Sequence, residues 1–405
     1  MNTTSHNPAP MWRLALIASR RLFCLIGSAR PTSLRGSVVL LLALPVFALL
    51  QLINWCGLLL DELCFPRWRN TPICKPLFVL GVPRSGTTFL HRVLADSDDF
   101  TTFRLWECLF APSISQRVFW SALARLDRRI GAPGARALDL LQSRVLGRLD
   151  DIHSTRLTDA EEDYLALLPY LGAFILILPF PQAKLTWQLA TADRDMPAHE
   201  REYLMAFYEA LIRKHLYFHG DTRRYLSKNA AFAGLAGSLA ARFPDAVFIA
   251  CLREPERALP SQLSSIREGA LLFHSKRTWE RLYLAQFLEV FPFFYSNLHA
   301  GLTRRAPSRH VFLSMKDLQA SLDVRLPEAL AYLGVTLTPS LKQAIATHAE
   351  ASRQYRSAHK VDTSGLAGIE EMDLQHHFAR EVPALPYLLN VIHRNAAARG
   401  VLACS

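Results

Sequence analysis

A glycine-containing loop between an apolar run and a helical pattern is the first part of the sequence whose residue types indicate chemistry. Residues 76–100 read PLFVLGVPRSGTTFLHRVLADSDDF. Leu77–Leu80 is typical of a buried strand, and the residues after Gly86 have the apolar spacing of a helix. A strand, a glycine loop and a helix in this order point backbone N–H groups at an anion. The segment therefore predicts an anion-binding loop.

Arginines stand where ordinary phosphate-binding loops use a lysine and an aspartate. The loop keeps the glycine spacing of G-x-x-x-x-G-K-[ST] and its final hydroxyl, Thr88, but Thr87 replaces the lysine. Arg84 lies inside the loop, and the strand-like run AVFIACLRE brings Arg253 to its end instead of a magnesium-binding aspartate. Since a guanidinium matches the geometry of phosphate and sulfate, we expect a metal-independent anion site and not ATP hydrolysis.

Three blocks of the sequence resemble the sulfotransferases that use 3′-phosphoadenosine 5′-phosphosulfate. PRSGTT after an apolar strand resembles their 5′-phosphosulfate loop. LSKNAAFAGLAGSLAARFPDAVFIACLREPERALPSQLSS resembles their 3′-phosphate segment, in which a strand-terminal Arg, here Arg253, is followed eight residues later by a Ser, here Ser261. SRQYRSAHKVDTSGLAGIEEMDL resembles the basic tail motif of bacterial members. The resemblance runs from about Pro76 to Leu374, and it is strongest with the bacterial group related to tyrosylprotein sulfotransferases.

The resemblance implies a set of donor ligands in these blocks. The implied ligands of 3′-phosphoadenosine 5′-phosphosulfate are Arg84, Ser85, Gly86, Thr87, Thr88, Arg253, Ser261 and Lys360. The structural alternatives are a plain glycine turn for the loop, an ordinary helix-start pair for Arg253 and Ser261, and a solvated tail residue for Lys360.

Sulfuryl transfer also needs a base for the acceptor hydroxyl and positive charge at the leaving oxygen. The resemblance implies Glu107 as the base, 23 residues past Arg84, and the apolar neighbours Trp106 and Leu109 predict a raised pKa. The alternative for Glu107 is a surface carboxylate paired with Arg104.

Other candidates stand beside Glu107. The resemblance implies that Lys228 points at the leaving oxygen, although a solvated lysine is the alternative. His153 is the rival base, because histidine has that role in cytosolic relatives. Glu162 belongs to an acidic cluster like that of the bacterial group and is a possible acceptor-site residue. A capping box from Thr158 explains Glu161 without a function.

The composition restricts the cofactors and partners. The chain has 405 residues, a net charge of +11 and 50% hydrophobic residues. No basic stripe is interleaved with aromatic residues, so we expect no nucleic-acid partner. The seven cysteines form no C-x-x-C pair and no cluster with metal-ligand spacing, so we expect no metal and reduced, mostly buried thiols.

The N-terminal part of the sequence has the composition of a membrane-associated segment. No Asp or Glu occurs before Leu60, and Arg13, Arg20 and Arg21 share one face of a predicted basic amphipathic helix. Val38–Leu60 is uncharged and long enough to span a bilayer, but Pro45 interrupts it, so we expect a broken re-entrant or interfacial element. The alternative is a hydrophobic helix packed on the catalytic domain.

Strand-like runs that alternate with helical patterns predict an α/β fold of the P-loop type. We expect a three-layer α/β/α arrangement with a mostly parallel sheet over residues 71–405, preceded by an apolar, helical, membrane-associated segment over residues 1–70. The expected function is transfer of a sulfuryl group to a hydroxyl of a membrane-borne or apolar acceptor, such as a lipid, glycan or small molecule. The alternative is a P-loop kinase, or a nucleotide-binding membrane protein without sulfotransfer activity.

The flanking charges leave two locations open. Absence of N-x-[ST] acceptors after Asn2 and of a disulfide framework favours the cytoplasmic face of a bacterial inner membrane. The arginine-rich N-terminus followed by one span would instead suit a Golgi membrane protein with a lumenal domain.

Overall fold

The computed structural model describes residues 10–145, 156–220, 222–354, 373–386 and 388. Its labelled helices are α1 (Met11–Ser28), α2 (Leu34–Cys64), α3 (Thr87–Ala95), α4 (Leu105–Phe110), α5 (Ile114–Arg129), α6 (Pro133–Val145), α7 (Lys184–Ala190), α8 (Ala192–Asp195), α9 (Ala198–His219), α10 (Ala236–Arg242), α11 (Pro255–Phe273), α12 (Lys276–Thr303), α13 (Met315–Tyr332) and α14 (Pro339–Gln354). A further helix covers Leu374–Glu381, and short 3-10 helices cover Pro66–Asn70, Asp163–Tyr170, Phe174–Ile177, Ala230–Leu235 and Pro307–Arg309. The strands are β1 (Leu77–Gly81), β2 (Phe100–Thr101), β3 (Arg224–Lys228), β4 (Val247–Leu252) and β5 (His310–Ser314).

The described strands form one parallel sheet in the order β2-β3-β1-β4-β5. The strand β1 is central, and its apolar residues are fully buried. Val79 of β1 is opposite Lys228 of β3, and Gly81 of β1 is opposite Cys251 of β4. The carboxyl ends of the three central strands therefore meet at one edge of the sheet, which is where ligands bind in open α/β sheets.

Helices cover both faces of the sheet, so the predicted three-layer α/β/α fold is confirmed. Successive residues of β1 alternate between two cores because a strand has a side-chain period of two. Leu77 and Val79 pack with the apolar faces of α3, α13 and α14. Phe78 and Leu80 join the larger core, to which α9, α10, α11 and α12 contribute.

The expected capping box at Thr158 is wrong, and one strand was not expected. The segment Asp163–Tyr170 is a 3-10 helix that contains Pro169, and Thr158 caps no helix because Ala160 pairs with Arg104 in an isolated bridge. The structure also adds the strand β3, whose sequence RYLSK is short and half polar but becomes buried between β1 and β2. Its last two residues bond other polar side chains inside the protein, and therefore the alternation typical of strands is weak there.

The N-terminal helices pack on the catalytic domain. Met11, Leu14 and Ala18 of α1 belong to the main core. The helix α2 continues through the exposed Pro45, so the expected break is wrong. It is the one helix in the described residues that is long and apolar enough to cross a membrane. Arg21 of α1 is buried in an ion pair with Glu200, with 3.1 Å between Nη2 and Oε2, so the arginine face is smaller than expected.

The described cysteines are free thiols, as the sequence suggested. The expectation that most of them are buried is wrong, because four are exposed. These four are Cys24, Cys56, Cys64 and Cys74. Three of them lie on α1 and α2, whose outer faces are open in the structure.

Candidate functional site

The loop that leaves β1 is held tightly against β4. A Cβ atom at Gly81 would collide with the carbonyl oxygen of Cys251, so only glycine allows this approach. Inside the loop the Ser85 hydroxyl donates to the Val82 carbonyl over 2.6 Å. Gly86 has a φ of 90° and precedes the first helical residue of α3, so the turn also depends on this glycine.

The loop ends at the amino terminus of α3. Thr87 is buried and Thr88 is half-buried at the first two positions of the helix. The first intrahelical bond joins the Leu90 N–H to the Gly86 carbonyl over 3.1 Å. The N–H groups before Leu90 have no partner within the helix and point out of its end, where an anion is stabilised. The loop therefore has the geometry that its sequence predicted.

Arg253 and Ser261 lie against this loop, although they are far from it in the sequence. Nη1 of Arg253 donates to the Arg84 carbonyl over 2.9 Å, and Nε of Arg84 donates to the Ser261 hydroxyl over 3.1 Å. Ser261 is buried on α11, and Arg253 is half-buried directly after β4. The structure thus joins the two blocks whose ligand roles the resemblance implied.

Among the described residues, no carboxylate forms an ion pair with Arg253. Burial and the neighbouring Arg257 both lower the pKa of Arg253, while Glu254 acts in the opposite direction. Two arginines held close together favour a bound anion, because an anion relieves their repulsion. The Tyr295 hydroxyl donates to the Arg253 carbonyl over 2.5 Å and fixes the backbone there.

Lys228 is buried at the carboxyl end of β3, so the solvated alternative is wrong. It is only 2% exposed, and its ammonium forms an ion pair with the half-buried Glu162. Burial and the Lys228 charge lower the pKa of His91, on α3, to about 3, which leaves this imidazole neutral. Lys228 and Glu162 therefore lie together beside the helix that begins at the anion-binding loop.

Glu161 is a second carboxylate near Lys228. Burial raises the pKa of Glu161, and the Lys228 charge opposes this shift. Asp163, which comes after Glu162, accepts hydrogen bonds from the hydroxyls of Tyr208 and Tyr225, the latter over 2.7 Å. Burial raises the pKa of Asp163 to about 6, against the effect of these hydrogen bonds. The bonds to the two tyrosines anchor the segment that carries Glu161 and Glu162.

Glu107 lies in a different environment from the one expected. It is fully buried on α4, where Oε2 accepts from the Arg104 backbone N–H over 2.8 Å and Oε1 contacts Nε2 of His219 at 2.6 Å. Burial alone would raise the pKa of Glu107, but Arg117, His215 and His219 together lower it well below its usual value. The expectation of a raised pKa is therefore wrong, and so is the alternative of a surface carboxylate.

The neighbours of Glu107 have the spacing of metal ligands. Oε1 of Glu107 and one ring nitrogen each of His215 and His219 lie within 4.8 Å of one another. Nε of Arg117, which is also fully buried, lies 3.6 Å from the same carboxylate oxygen. A divalent cation would have to occupy this buried space beside the Arg117 charge, so the cluster fits an internal ion pair better than a metal site.

His153 and Lys360 lie outside the described residues. The contact of Glu162 with Lys228 was not predicted from the sequence, in which Glu162 is part of the acidic run EED. The pairing of Glu162 with Lys228 joins residues 66 positions apart, and no local pattern indicates such a contact.

Comparisons with known proteins identify the family of the chain and the fold that it shares. Residues 76–339 match the model of the sulfotransferase family, which covers well over half of the chain. No curated protein sequence matches significantly. The chain is similar in structure to the sulfotransferase STF1 from Mycobacterium tuberculosis H37Rv, with a TM-score of 0.64, 16% identity and coverage of 92% of this chain and 99% of that one. It is also similar to the sulfotransferase STF9 from Mycobacterium avium, with a TM-score of 0.67, 15% identity and coverage of 94% and 97%.

Proposed function

The chain belongs to the sulfotransferase family, and we propose that it transfers a sulfuryl group from 3′-phosphoadenosine 5′-phosphosulfate to a hydroxyl of a membrane-borne or apolar acceptor. The observation that carries this proposal is the contact between Arg84, Arg253 and Ser261 at the end of the anion-binding loop. This contact brings together two sites that can bind the anionic groups of one nucleotide, one at the loop and one at the start of α11.

The donor is proposed to bind along the carboxyl edge of the sheet. The 5′-phosphosulfate lies in the loop of Ser85 to Thr88, where the backbone N–H groups at the start of α3 and the two threonine hydroxyls bind its oxygens. Arg253 and Ser261 bind the 3′-phosphate, with Arg84 between the two sites. Lys360 is proposed as a further ligand from the tail motif. The arginines are permanently charged, so this site needs no metal to neutralise the nucleotide.

The base is proposed to be Glu162. Its carboxylate faces Lys228 beside α3, whereas the carboxylate of Glu107 is occupied by the Arg104 backbone, His219 and Arg117. A base must be able to reach the proton of an acceptor, and a fully buried group with these partners cannot do so without rearrangement. Glu107 and His153 are the two alternative bases, and mutation of each must exclude them.

The reaction moves one proton, forms one bond to sulfur and breaks another. Glu162 removes the proton of the acceptor hydroxyl while the acceptor oxygen forms a bond to the sulfur of the donor. The bond between the sulfur and the oxygen that bridges to the 5′-phosphate breaks, and 3′-phosphoadenosine 5′-phosphate leaves with that electron pair. Lys228 stabilises the charge on the leaving oxygen. In the donor-free protein Lys228 and Glu162 neutralise each other, and the negative donor would draw Lys228 away and release the carboxylate.

The segment after Glu162 supports an apolar acceptor. Tyr164–Phe180 continues from the proposed base into an apolar cluster beneath α1 and α2. Leu168, Leu171 and Leu176 of this segment pack with Leu25 of α1 and Leu40 of α2. The acceptor side of the site is thus connected to the apolar N-terminal helices, which suits a substrate that is held in or near a membrane.

The cytoplasmic face of a bacterial inner membrane is the proposed location. The six described cysteines are free, and four of them are exposed. Exposed free thiols are typical of a reducing compartment, and the donor is made there. A Golgi protein with a lumenal domain is the alternative, and it would place these thiols in an oxidising compartment.

Calorimetry with nucleotides tests the donor assignment directly. The full chain in detergent is titrated with 3′-phosphoadenosine 5′-phosphate and, separately, with ATP and Mg²⁺ while ADP formation is followed. We expect the first nucleotide to bind, and ATP to bind more weakly without hydrolysis. Tighter binding of ATP with release of ADP would favour the P-loop kinase or hydrolase alternative. Binding of 3′-phosphoadenosine 5′-phosphate without any transfer activity would indicate a nucleotide-binding membrane protein.

A further inference from the structure

The buried side of the helix α2 carries the polar residues Gln51, Asn54 and Asp61 beside apolar ones, whereas from Val38 onward its exposed side is apolar. Nδ2 of Asn54 donates to the Leu109 carbonyl over 3.2 Å, and Nε2 of Gln116 donates to Oδ1 of Asn54 over 2.8 Å. The Trp55 indole N–H donates to the Pro169 carbonyl over 2.9 Å. These bonds attach the middle of α2 to the catalytic domain.

The two ends of α2 are attached as well. At the carboxyl end, Asp61 accepts from Nζ of Lys214 over 2.9 Å and from the Ile114 N–H over 2.8 Å, in a fully buried position. At the amino end, the Ser33 hydroxyl donates to the Phe273 carbonyl over 3.3 Å, and Gly36 allows close approach to the same residue. The helix therefore lies along the domain for its whole length and does not project from it.

The opposite face of α2 is an uninterrupted apolar stripe. Its exposed residues include Leu41, Leu42, Val46, Leu49, Leu52 and Ile53. Leu41 and Leu63, near the two ends, are 73% and 81% exposed. The helix has 31 residues and is about 46 Å long at 1.5 Å per residue. An exposed apolar stripe of this length on a soluble surface would be a large unfavourable contact with water, so it needs a partner.

The hairpin of α5 and α6 packs beside α2 and also has exposed apolar side chains. The start of α5 packs tightly on α2, where a Cβ at Gly57 would collide with the Ser113 hydroxyl. Beyond this contact the hairpin exposes further large apolar side chains, among them Phe119, Leu123, Leu126, Ile130, Leu140 and Leu141. We define the docking face as the exposed sides of α1, α2, α5 and α6.

The charges of the docking face select its partner. Between residues 10 and 60 the chain has no Asp or Glu, whereas Arg13, Arg20, Arg30 and Arg35 are exposed. The hairpin adds four exposed arginines, which are Arg125, Arg128, Arg129 and Arg136. Of its two aspartates, Asp127 already accepts from the Gly134 N–H over 2.7 Å. Apolar side chains with arginines around them match the acyl and phosphate layers of an anionic membrane, whereas a second copy would bring the same positive charge.

We propose that the docking face binds the surface of an anionic bilayer and holds α2 parallel to one leaflet, so that the chain is monotopic and α2 does not cross. The inference rests on the membrane attachment proposed above and adds its geometry and the part played by α5 and α6. A crossing helix must be apolar on all sides or packed against other spans, but the inner side of α2 carries Asn54 and Asp61 bonded to the catalytic domain.

Vesicle binding tests the face. The full chain is mixed with vesicles of phosphatidylglycerol and phosphatidylcholine, or of phosphatidylcholine alone, and bound protein is measured by flotation. Phe119→Glu with Leu123→Glu should weaken binding to the anionic vesicles at least tenfold. The matched control is Val324→Glu, an exposed apolar residue on α13 in the opposite layer of the fold, which should bind like the wild type. Equal binding of the hairpin variant and the wild type would overturn the role of the hairpin.

Depth measurements test the orientation. Spin labels are attached at Val38→Cys and, separately, at the native Cys56, with the other exposed cysteines and Cys404 replaced by serine. A parallel α2 places both labels at one depth, whereas a crossing helix separates them by about 27 Å along the membrane normal. The second outcome would overturn the proposal, and so would a wild type that forms a dimer in detergent and binds no vesicles.

Nucleotide binding and vesicle binding are measured separately, so that a failure of the docking face can be distinguished from a failure of the proposed function. Calorimetry with 3′-phosphoadenosine 5′-phosphate is run on the vesicle-binding variants, because Phe119 and Leu123 lie on α5 and Val324 on α13, and none of the three is a proposed donor ligand. Intact nucleotide binding with lost vesicle binding supports the docking face. A wild type that binds vesicles but no nucleotide would refute the proposed function and leave the docking face standing.

Discussion

Replacement of Glu107 by glutamine separates a structural role from a catalytic one. The glutamine keeps an oxygen that can cap α4 but removes the charge that lies 3.6 Å from Nε of the fully buried Arg117. Breaking a buried ion pair by removal of one partner costs about 3–5 kcal/mol, because the other charge stays buried and unpaired. At about 2 °C per kcal/mol for a large domain, the expected fall in melting temperature is about 6–10 °C.

The assay measures melting temperature and turnover on the same preparation. We expect the surviving folded fraction of Glu107→Gln to keep turnover within a few-fold of the wild type, at a temperature well below its transition. The matched control is Glu289→Gln, which breaks an exposed ion pair with Arg194 and should melt close to the wild type with unchanged turnover. An unchanged melting temperature with a hundredfold loss of turnover in Glu107→Gln would refute this reasoning and identify Glu107 as the base.

Four further outcomes are expected at the site. Glu162→Gln should lower turnover about a hundredfold or more with unchanged affinity for 3′-phosphoadenosine 5′-phosphate; retained turnover would return attention to His153. Arg253→Ala should weaken that affinity by about 1.5–3 kcal/mol in calorimetry, and an unchanged affinity would contradict its assignment. Burial lowers the pKa of His91 from 6.5 to about 3. Between these two pH values the imidazole of the unfolded chain binds a proton and that of the folded protein does not. The free energy of unfolding therefore falls by about 1.4 kcal/mol for each unit by which the pH is lowered between them. Urea titrations at several pH values should show that His91→Gln lacks this component. Turnover should survive a metal chelator, and its loss with recovery on added Zn²⁺ would point to a metal.

Much of the fold could be predicted because its signals are local. The loop has its glycines, and β1 and β4 are continuous apolar runs. The strand β3 could not be predicted in this way, since RYLSK has neither an apolar run nor clear alternation. It becomes a strand because β1 and β2 pair with it on both sides.

The residues of the candidate site could be predicted where the sequence resembles a family motif, but the surroundings of the other candidates could not. Arg84, Arg253 and Ser261 were identified from their spacing within the motifs, and the structure brings them into contact. The environment of Glu107 was not predictable, because its charge is set by Arg117, His215 and His219 from two other helices. Apolar neighbours in the sequence indicated burial correctly but gave no information about these partners.

For the N-terminal segment as well, the sequence indicated burial and hydropathy but not the contacts that the residues make. Hydropathy indicates that α2 is apolar, but it does not indicate which face points outward. Gln51, Asn54 and Asp61 weaken the pattern of a span. In the structure Asn54 and Asp61 bond groups of the catalytic domain, and Gln51 is buried beside Asn54, from which its Oε1 accepts over 3.3 Å. The polar interruptions are therefore explained by docking on the protein and not by contact with water.

Transfer of radioactive sulfur from 3′-phosphoadenosine 5′-phosphosulfate tests the central claim most directly. The full chain is incubated with the labelled donor and a bacterial membrane lipid extract, and label in the organic phase is compared with released 3′-phosphoadenosine 5′-phosphate. We expect equal amounts of the two with the wild type, and neither with the Arg253→Ala, Glu162→Gln double variant. A wild type that binds the donor but leaves all label as donor or inorganic sulfate, with lipid, glycan and small-molecule acceptors alike, would contradict it.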